Sequence, residues 1–70
     1  MNTIDKLINI ATGQHIAGYI TNLADNSITF YGLTDIELER FVSNADSLGI
    51  QFKPYNKQSG AVTLIIKDKV

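Results

Sequence analysis

The clearest structural signal in this chain is the stretch TDIELERFVSNADSLG, residues 34–49. Its first four residues have the form of a capping box, in which the Thr34 hydroxyl and the Glu37 carboxylate exchange hydrogen bonds with backbone amides. Gly49 stands where helices commonly end. One apolar stripe at helical spacing lies between these signals: Leu38, Phe41, Val42, Ala45 and Leu48. The pattern predicts an amphipathic helix over residues 35–48.

A second helix is predicted near the start of the chain. Apolar residues recur at three- and four-residue spacing: Ile4, Leu7, Ile8 and Ala11. Thr3 is the expected N-cap, and Gly13 is the expected left-handed terminator. The pattern predicts a helix over residues 3–12.

Between the helices the apolar period changes to two, which is typical of strands. Directly opposed residues of a hairpin share a face. Ile20 therefore faces inward together with Ile28 and Phe30 only if the connecting loop has an odd number of residues. A three-residue loop, 24–26, with Asn26 in the left-handed conformation meets this condition and places Ile20 opposite Phe30.

The same alternation returns after the second helix. Residues 50–53 and 62–67 are predicted as two further strands, again with even-numbered residues inward and an odd loop within residues 55–60. Pro54 suits an edge strand, because it has no N–H for a ladder hydrogen bond.

The predicted order α-β-β-α-β-β fills a single domain, residues 1–70. We expect a two-layer α+β fold in which both helices cover the even-residue face of a four-stranded, antiparallel-rich sheet. A right-handed crossover around the second helix gives the strand order 3-4-2-1, which resembles a circular permutation of the ferredoxin-like arrangement. A sequential meander and a winged helix, with residues 50–67 as the wing, are the alternatives. The two αββ units share no convincing side-chain identity.

Composition narrows the class of protein. The chain has 70 residues, no cysteine and a net charge of −1, and its longest apolar run is far too short for a membrane span. Its first residues lack the basic and apolar regions of a secretory signal, so we expect a cytoplasmic protein. Ile, Asn and Lys supply 21 residues against a single Arg, a bias that AT-rich coding in bacteria and phages favours.

Catalytic and metal-binding patterns are weak. His15 is the only histidine, so a histidine-rich metal site cannot form, and the absence of cysteine removes thiolate sites. Asp35 and Glu39 lie one turn apart, but acidic residues in a first turn commonly stabilise the helix dipole. A two-layer domain of this size seldom encloses a pocket alone. We therefore expect no enzyme, cofactor or metal; an active site would have to be shared between protomers.

The outward face of the predicted sheet is the candidate for function. If even-numbered positions face the helices, the odd-numbered ones face solvent and include tyrosines, which binding surfaces favour. The predicted binding residues are Tyr19, Tyr31, Lys53, Ile65 and Lys67. The leading hypothesis is a non-catalytic module that inhibits or links a larger protein partner, with homodimerisation through the same face as a variant.

The two parts of the chain differ in net charge. Residues 1–49 carry two basic and six acidic side chains, whereas residues 50–70 carry four lysines and one aspartate. Lysines next to tyrosines are also typical of single-stranded nucleic-acid binding, which is the alternative hypothesis. Because four lysines without an arginine form a modest patch, a protein partner is favoured.

Overall fold

The computed structural model describes residues 2–67. Its elements are α1 (Thr3–Gly13), β1 (Tyr19–Asn22), β2 (Ser27–Tyr31), α2 (Asp35–Ser47) and β3 (Ala61–Ile65). The strands form one antiparallel sheet in the order β1-β2-β3, so β2 is central. The α+β class with two helices and an antiparallel sheet is confirmed.

Local hydrogen bonds define both ends of α2 as the sequence predicts. The Thr34 hydroxyl accepts from the Glu37 N–H at 3.1 Å, and the Glu37 carboxylate accepts from the Thr34 N–H at 3.1 Å. At the other end Gly49 has φ +78°, and the Ile50 N–H donates to the Ala45 carbonyl at 2.9 Å. These bonds satisfy backbone groups that a helix leaves unpaired at its termini.

The ends of α1 differ from the prediction. Asn2, not Thr3, is the N-cap, and its side-chain oxygen accepts from the Asp5 N–H at 2.8 Å. Gly13 is the last helical residue, and the left-handed conformation falls on His15, with φ +59°. Histidine is among the residue types enriched in this conformation, so the left-handed residue that follows the helix lies two positions after Gly13.

The register of the first hairpin is also different. Tyr19 pairs with Phe30 and Ile20 with Thr29, and the loop spans four residues, 23–26. The predicted three-residue loop and the pairing of Ile20 with Phe30 are therefore wrong. Tyr19 turns toward the helices, with its ring centroid 6.0 Å from that of Phe30, and Ile20 turns outward.

The Asn22 side chain accounts for the longer loop. Its oxygen accepts from the backbone N–H groups of Ala24 at 3.0 Å and Asp25 at 3.3 Å. This Asx-type turn competes with continued strand pairing and fixes the start of the loop. Asn26 has φ +51°, so its predicted left-handed conformation is confirmed.

The predicted fourth strand does not form among the described residues. Residues 50–53 make only an isolated bridge, between Phe52 and Ile66, with the Lys53 N–H donating to the Ile65 carbonyl at 2.8 Å. Pro54 follows immediately and cannot extend the ladder. Residues 2–67 thus show a three-stranded sheet and do not show the permuted ferredoxin-like topology.

Both helices cover one face of the sheet. Even-numbered side chains of β2 and β3 point at them, as predicted, and the Phe30 and Phe41 rings meet edge to face with centroids 4.7 Å apart. The buried apolar residues form one core: Ile4, Leu7, Ala11, Ile16, Ile28, Phe30, Leu33, Phe41, Ala45, Ile50, Val62, Leu64 and Ile66.

The helix ends and the central strands of the two halves correspond at a separation of 34 residues. Thr29 at the centre of β2 pairs with Thr63 at the centre of β3, and their hydroxyl oxygens are 2.9 Å apart. At the same separation, Ile16 and Ile50 are both buried. The backbone N–H of each donates to a carbonyl in the last turn of the preceding helix. The equivalence fails at the outer strands, because the counterpart of β1 contains Pro54.

Candidate functional site

The face of the sheet opposite the helices is uncovered by either described helix. It carries a set of side chains that we term the open-face cluster: Ile20, Thr29, Tyr31, Thr63 and Ile65. Ile20, Thr29 and Thr63 lie in one row across the three strands, because each is paired with the next. Thr29 and Thr63 share a hydrogen bond, so the centre of the cluster is held in place.

Two large apolar side chains of this cluster are strongly exposed. Ile20 keeps 61% of its surface exposed and Tyr31 keeps 54%. Ile20 is paired with Thr29, two positions before Tyr31, so the two side chains are diagonal neighbours about 7–8 Å apart. Their exposed side chains are therefore neighbours on the open face.

Two of the other predicted binding residues, Ile65 and Lys53, lie on or beside the open face. Tyr31 and half-buried Ile65 share the open face, four residues apart in register, because they pair with Ala61 and Ser27 respectively. Lys53 is exposed and lies beside Ile65 through its backbone hydrogen bond.

Tyr19 and Lys67 lie away from the open-face cluster. Tyr19 is on the helix side, where it packs against the core. Lys67 lines a groove beside α2.

That groove is a feature that the sequence reasoning missed. It has a volume of about 620 Å³, which lies within the range of ligand sites, although we expected no pocket from a domain of this size. Its apolar lining is Leu38, Val42, Ile50, Phe52 and Tyr55, and its charged rim is Asp35, Glu39, Asp46 and Lys67. The groove lies between α2 and residues 50–55, which are outside the sheet. In the sequence, Pro54 was the one signal that this segment does not continue as a strand.

The electrostatics of α2 are those of a capped surface helix. Backbone and side-chain hydrogen bonds from Thr34, in that order, lower the pKa of the Glu37 carboxyl, and the charge of Lys57 adds to the effect. Lys57 also pairs with Asp35 at 3.0 Å, where the carboxylate side chain is 91% exposed. Such exposed pairs contribute little to stability, so these charges set the surface potential more than they hold the fold.

The described residues bring few reactive groups together. No group of three or more histidine, cysteine, aspartate or glutamate side chains among residues 2–67 is arranged to hold a metal ion. His15 is exposed at the end of α1, and the Asp35 carboxylate is engaged by Lys57.

Comparison with protein-family models, with curated proteins and with solved structures finds no match to this chain. Among residues 2–67, no helix has the length and apolar character needed to cross a membrane. The candidate features for function are the open-face cluster and the groove.

Proposed function

We propose that this chain is a non-catalytic protein-binding module that contacts a larger partner through the open-face cluster. The observation that supports it is the pair of adjacent, strongly exposed side chains, Ile20 and Tyr31, on an uncovered sheet. Tyrosine supplies a large rigid contact area with a polar tip at small entropic cost. The Thr29 and Thr63 hydroxyls between the strands add hydrogen-bonding groups at the centre of the contact.

Charge around the cluster supports a protein partner of mixed polarity. Lys53 lies at one end of the face beside Ile65, while the acidic side chains of α2 lie on the helix layer. A surface with separated charges orients a partner during encounter. The module acts as an inhibitor if it blocks the partner's own site, and as an adaptor if the helix layer binds a second protein. A cytoplasmic setting and a bacterial or phage source are part of this proposal.

Single-stranded nucleic-acid binding receives less support from the same geometry. It needs several exposed aromatic rings beside several free lysines. Tyr19 instead packs against Phe30, and the Lys57 ammonium is engaged by Asp35. Tyr31 is then the one tyrosine on the open face within residues 2–67.

Affinity capture with matched double variants tests the proposal. The Ile20→Ala/Tyr31→Ala variant removes the exposed apolar pair from the open face. Its control, Ile36→Ala/Leu48→Ala, removes two side chains of similar exposure, 65% and 54%, from α2 and its C-cap. We expect the control to retain, and the open-face variant to lose, the partner that mass spectrometry identifies with the unaltered chain.

The opposite pattern contradicts the proposal. An open-face variant that is folded by circular dichroism and still captures the same partner shows that the cluster is not the contact surface. Loss of the partner only in the Ile36→Ala/Leu48→Ala control would show that the partner contacts the helix layer instead.

A further inference from the structure

β1 is an edge strand whose outer backbone groups face away from the sheet. The Tyr31 N–H donates to the Gly18 carbonyl at 2.8 Å, which fixes the alternation of hydrogen-bonded pairs along the β1–β2 ladder. Ile20 and Asn22 are therefore bonded to β2. The backbone groups of Tyr19 and Thr21 point to the open side.

Two backbone groups of this edge and the loop that follows it are already used within the chain. The Tyr19 N–H donates to the Ala17 carbonyl at 3.1 Å, and the Leu23 carbonyl accepts from the Asn26 N–H at 3.4 Å. Four groups remain without a protein partner among residues 2–67: the Tyr19 carbonyl, the Thr21 N–H, the Thr21 carbonyl and the Leu23 N–H.

This edge lacks the usual protection against pairing. Natural edge strands carry lysines, prolines or bulges that discourage the addition of another strand. No Lys, Arg, Asp or Glu lies between Lys6 and Asp25, and no proline precedes Pro54. Instead the strand and its loop expose two large apolar side chains, Ile20 at 61% and Leu23 at 67%.

We propose that a second copy of this chain pairs antiparallel with β1, with Thr21 opposite Thr21 of the second copy. In this register each Thr21 N–H donates to the Thr21 carbonyl of the other copy. Each Leu23 N–H likewise donates to the Tyr19 carbonyl of the other copy. The two β sheets join into one sheet of six strands, which buries both edges.

The four unpaired backbone groups of this edge favour this register and favour a second copy of the chain as the partner strand. The arrangement satisfies all four of them and needs neither the Tyr19 N–H nor the Leu23 carbonyl, which are already bonded. Opposed residues share a face, so exposed Leu23 covers the ring of Tyr19 in the other copy. A two-fold contact needs a self-complementary strand, and the uncharged β1 brings no like charges together. The inference uses the edge and not the open-face cluster, so it does not rest on the proposed function.

Molecular mass in solution tests this inference with a matched pair of variants. From micromolar to millimolar concentration, light scattering is expected to show a transition from the 7.7 kDa protomer to twice that mass. Leu23→Lys places a charge against Tyr19 and is expected to raise the dimer dissociation constant at least about tenfold. Ile36→Lys makes the same change at a residue of similar exposure, 65%, on α2 and leaves the constant unchanged.

Amide exchange supplies a second readout. In the dimer the Thr21 and Leu23 amides become protected as concentration rises, and Thr21→Pro, which removes one donor from the free edge, abolishes the dimer. A chain that stays at the protomer mass throughout overturns the inference, whether or not an unrelated peptide binds this edge. A dimer that Leu23→Lys and Thr21→Pro leave intact, or whose Thr21 amide stays unprotected, overturns the β1 contact.

Discussion

Replacing Tyr19 and Ile20 separately by threonine measures which of these neighbours faces the core. Strands favour threonine as they favour tyrosine and isoleucine, so the comparison isolates burial. The Tyr19 ring packs on the core with its centroid 6.0 Å from Phe30. Loss of the aromatic pair and of the buried part of the ring is expected to lower the free energy of unfolding by about 2 kcal/mol. For a domain of this size that lowers Tm by about 8–16 °C.

Ile20→Thr is expected to have a much smaller effect. Ile20 keeps 61% of its surface exposed, so its replacement is expected to cost about 0.5 kcal/mol or less. Urea unfolding followed by circular dichroism gives both free energies on the same scale. If Ile20→Thr proves the more damaging of the two, Ile20 is opposite Phe30 after all, and the outward position of Ile20 is refuted.

Two further predictions concern the helix ends. His15→Gly relieves the left-handed conformation at φ +59° and should stabilise the fold by about 0.5–1 kcal/mol, measured as a higher Tm; an unchanged or lower Tm would mean that the His15 side chain offsets the strain. The lowered pKa of Glu37 means that its stabilisation is complete above the pKa of the unfolded chain, about 4.3, and is lost as pH falls through the folded pKa. Unfolding titrations in acid should therefore show a shallower loss of stability for Glu37→Gln than for the unaltered chain, and parallel curves would contradict this.

Local signals made most of the fold predictable. The capping box at Thr34 and the glycine at position 49 bracket α2, and both act within a few residues of the chain. The even-numbered positions of β2 and β3 are apolar throughout, so their inward face could be assigned from the alternation alone.

The first hairpin was less predictable, because its two candidate registers both place an apolar side chain inward. Tyr19 and Ile20 are each compatible with a core position. The hydrogen bonds of the Asn22 side chain stabilise a four-residue loop, and the register that goes with this loop places Tyr19 inward. The candidate site therefore differs from the predicted one: the open face carries Ile20 and does not carry Tyr19.

The groove depends on a predicted strand, residues 50–53, that is absent from the described sheet. Pro54 is compatible with an edge strand, yet the segment before it makes only the bridge at Phe52. The segment that follows Pro54 also makes contacts with residues distant in sequence, such as the Lys57–Asp35 pair. Alternation alone carries no information about such contacts.

The edge contact and the open face are compatible in one assembly. A two-fold axis perpendicular to the joined sheet keeps both helix layers on one side and both open faces on the other. The two open-face clusters then form one wider surface, so a dimer would present its partner with two copies of Ile20 and Tyr31.

Photo-crosslinking from position 31 is the decisive measurement for the open face as a contact surface. A benzophenone side chain at Tyr31 is compared with the same group at Leu48, since both residues are 54% exposed and lie on opposite layers. We expect irradiation in cells to attach a larger protein to position 31 and not to position 48. Crosslinks from position 48 alone, or none from position 31 in a folded chain, would show that the partner does not bind the open face.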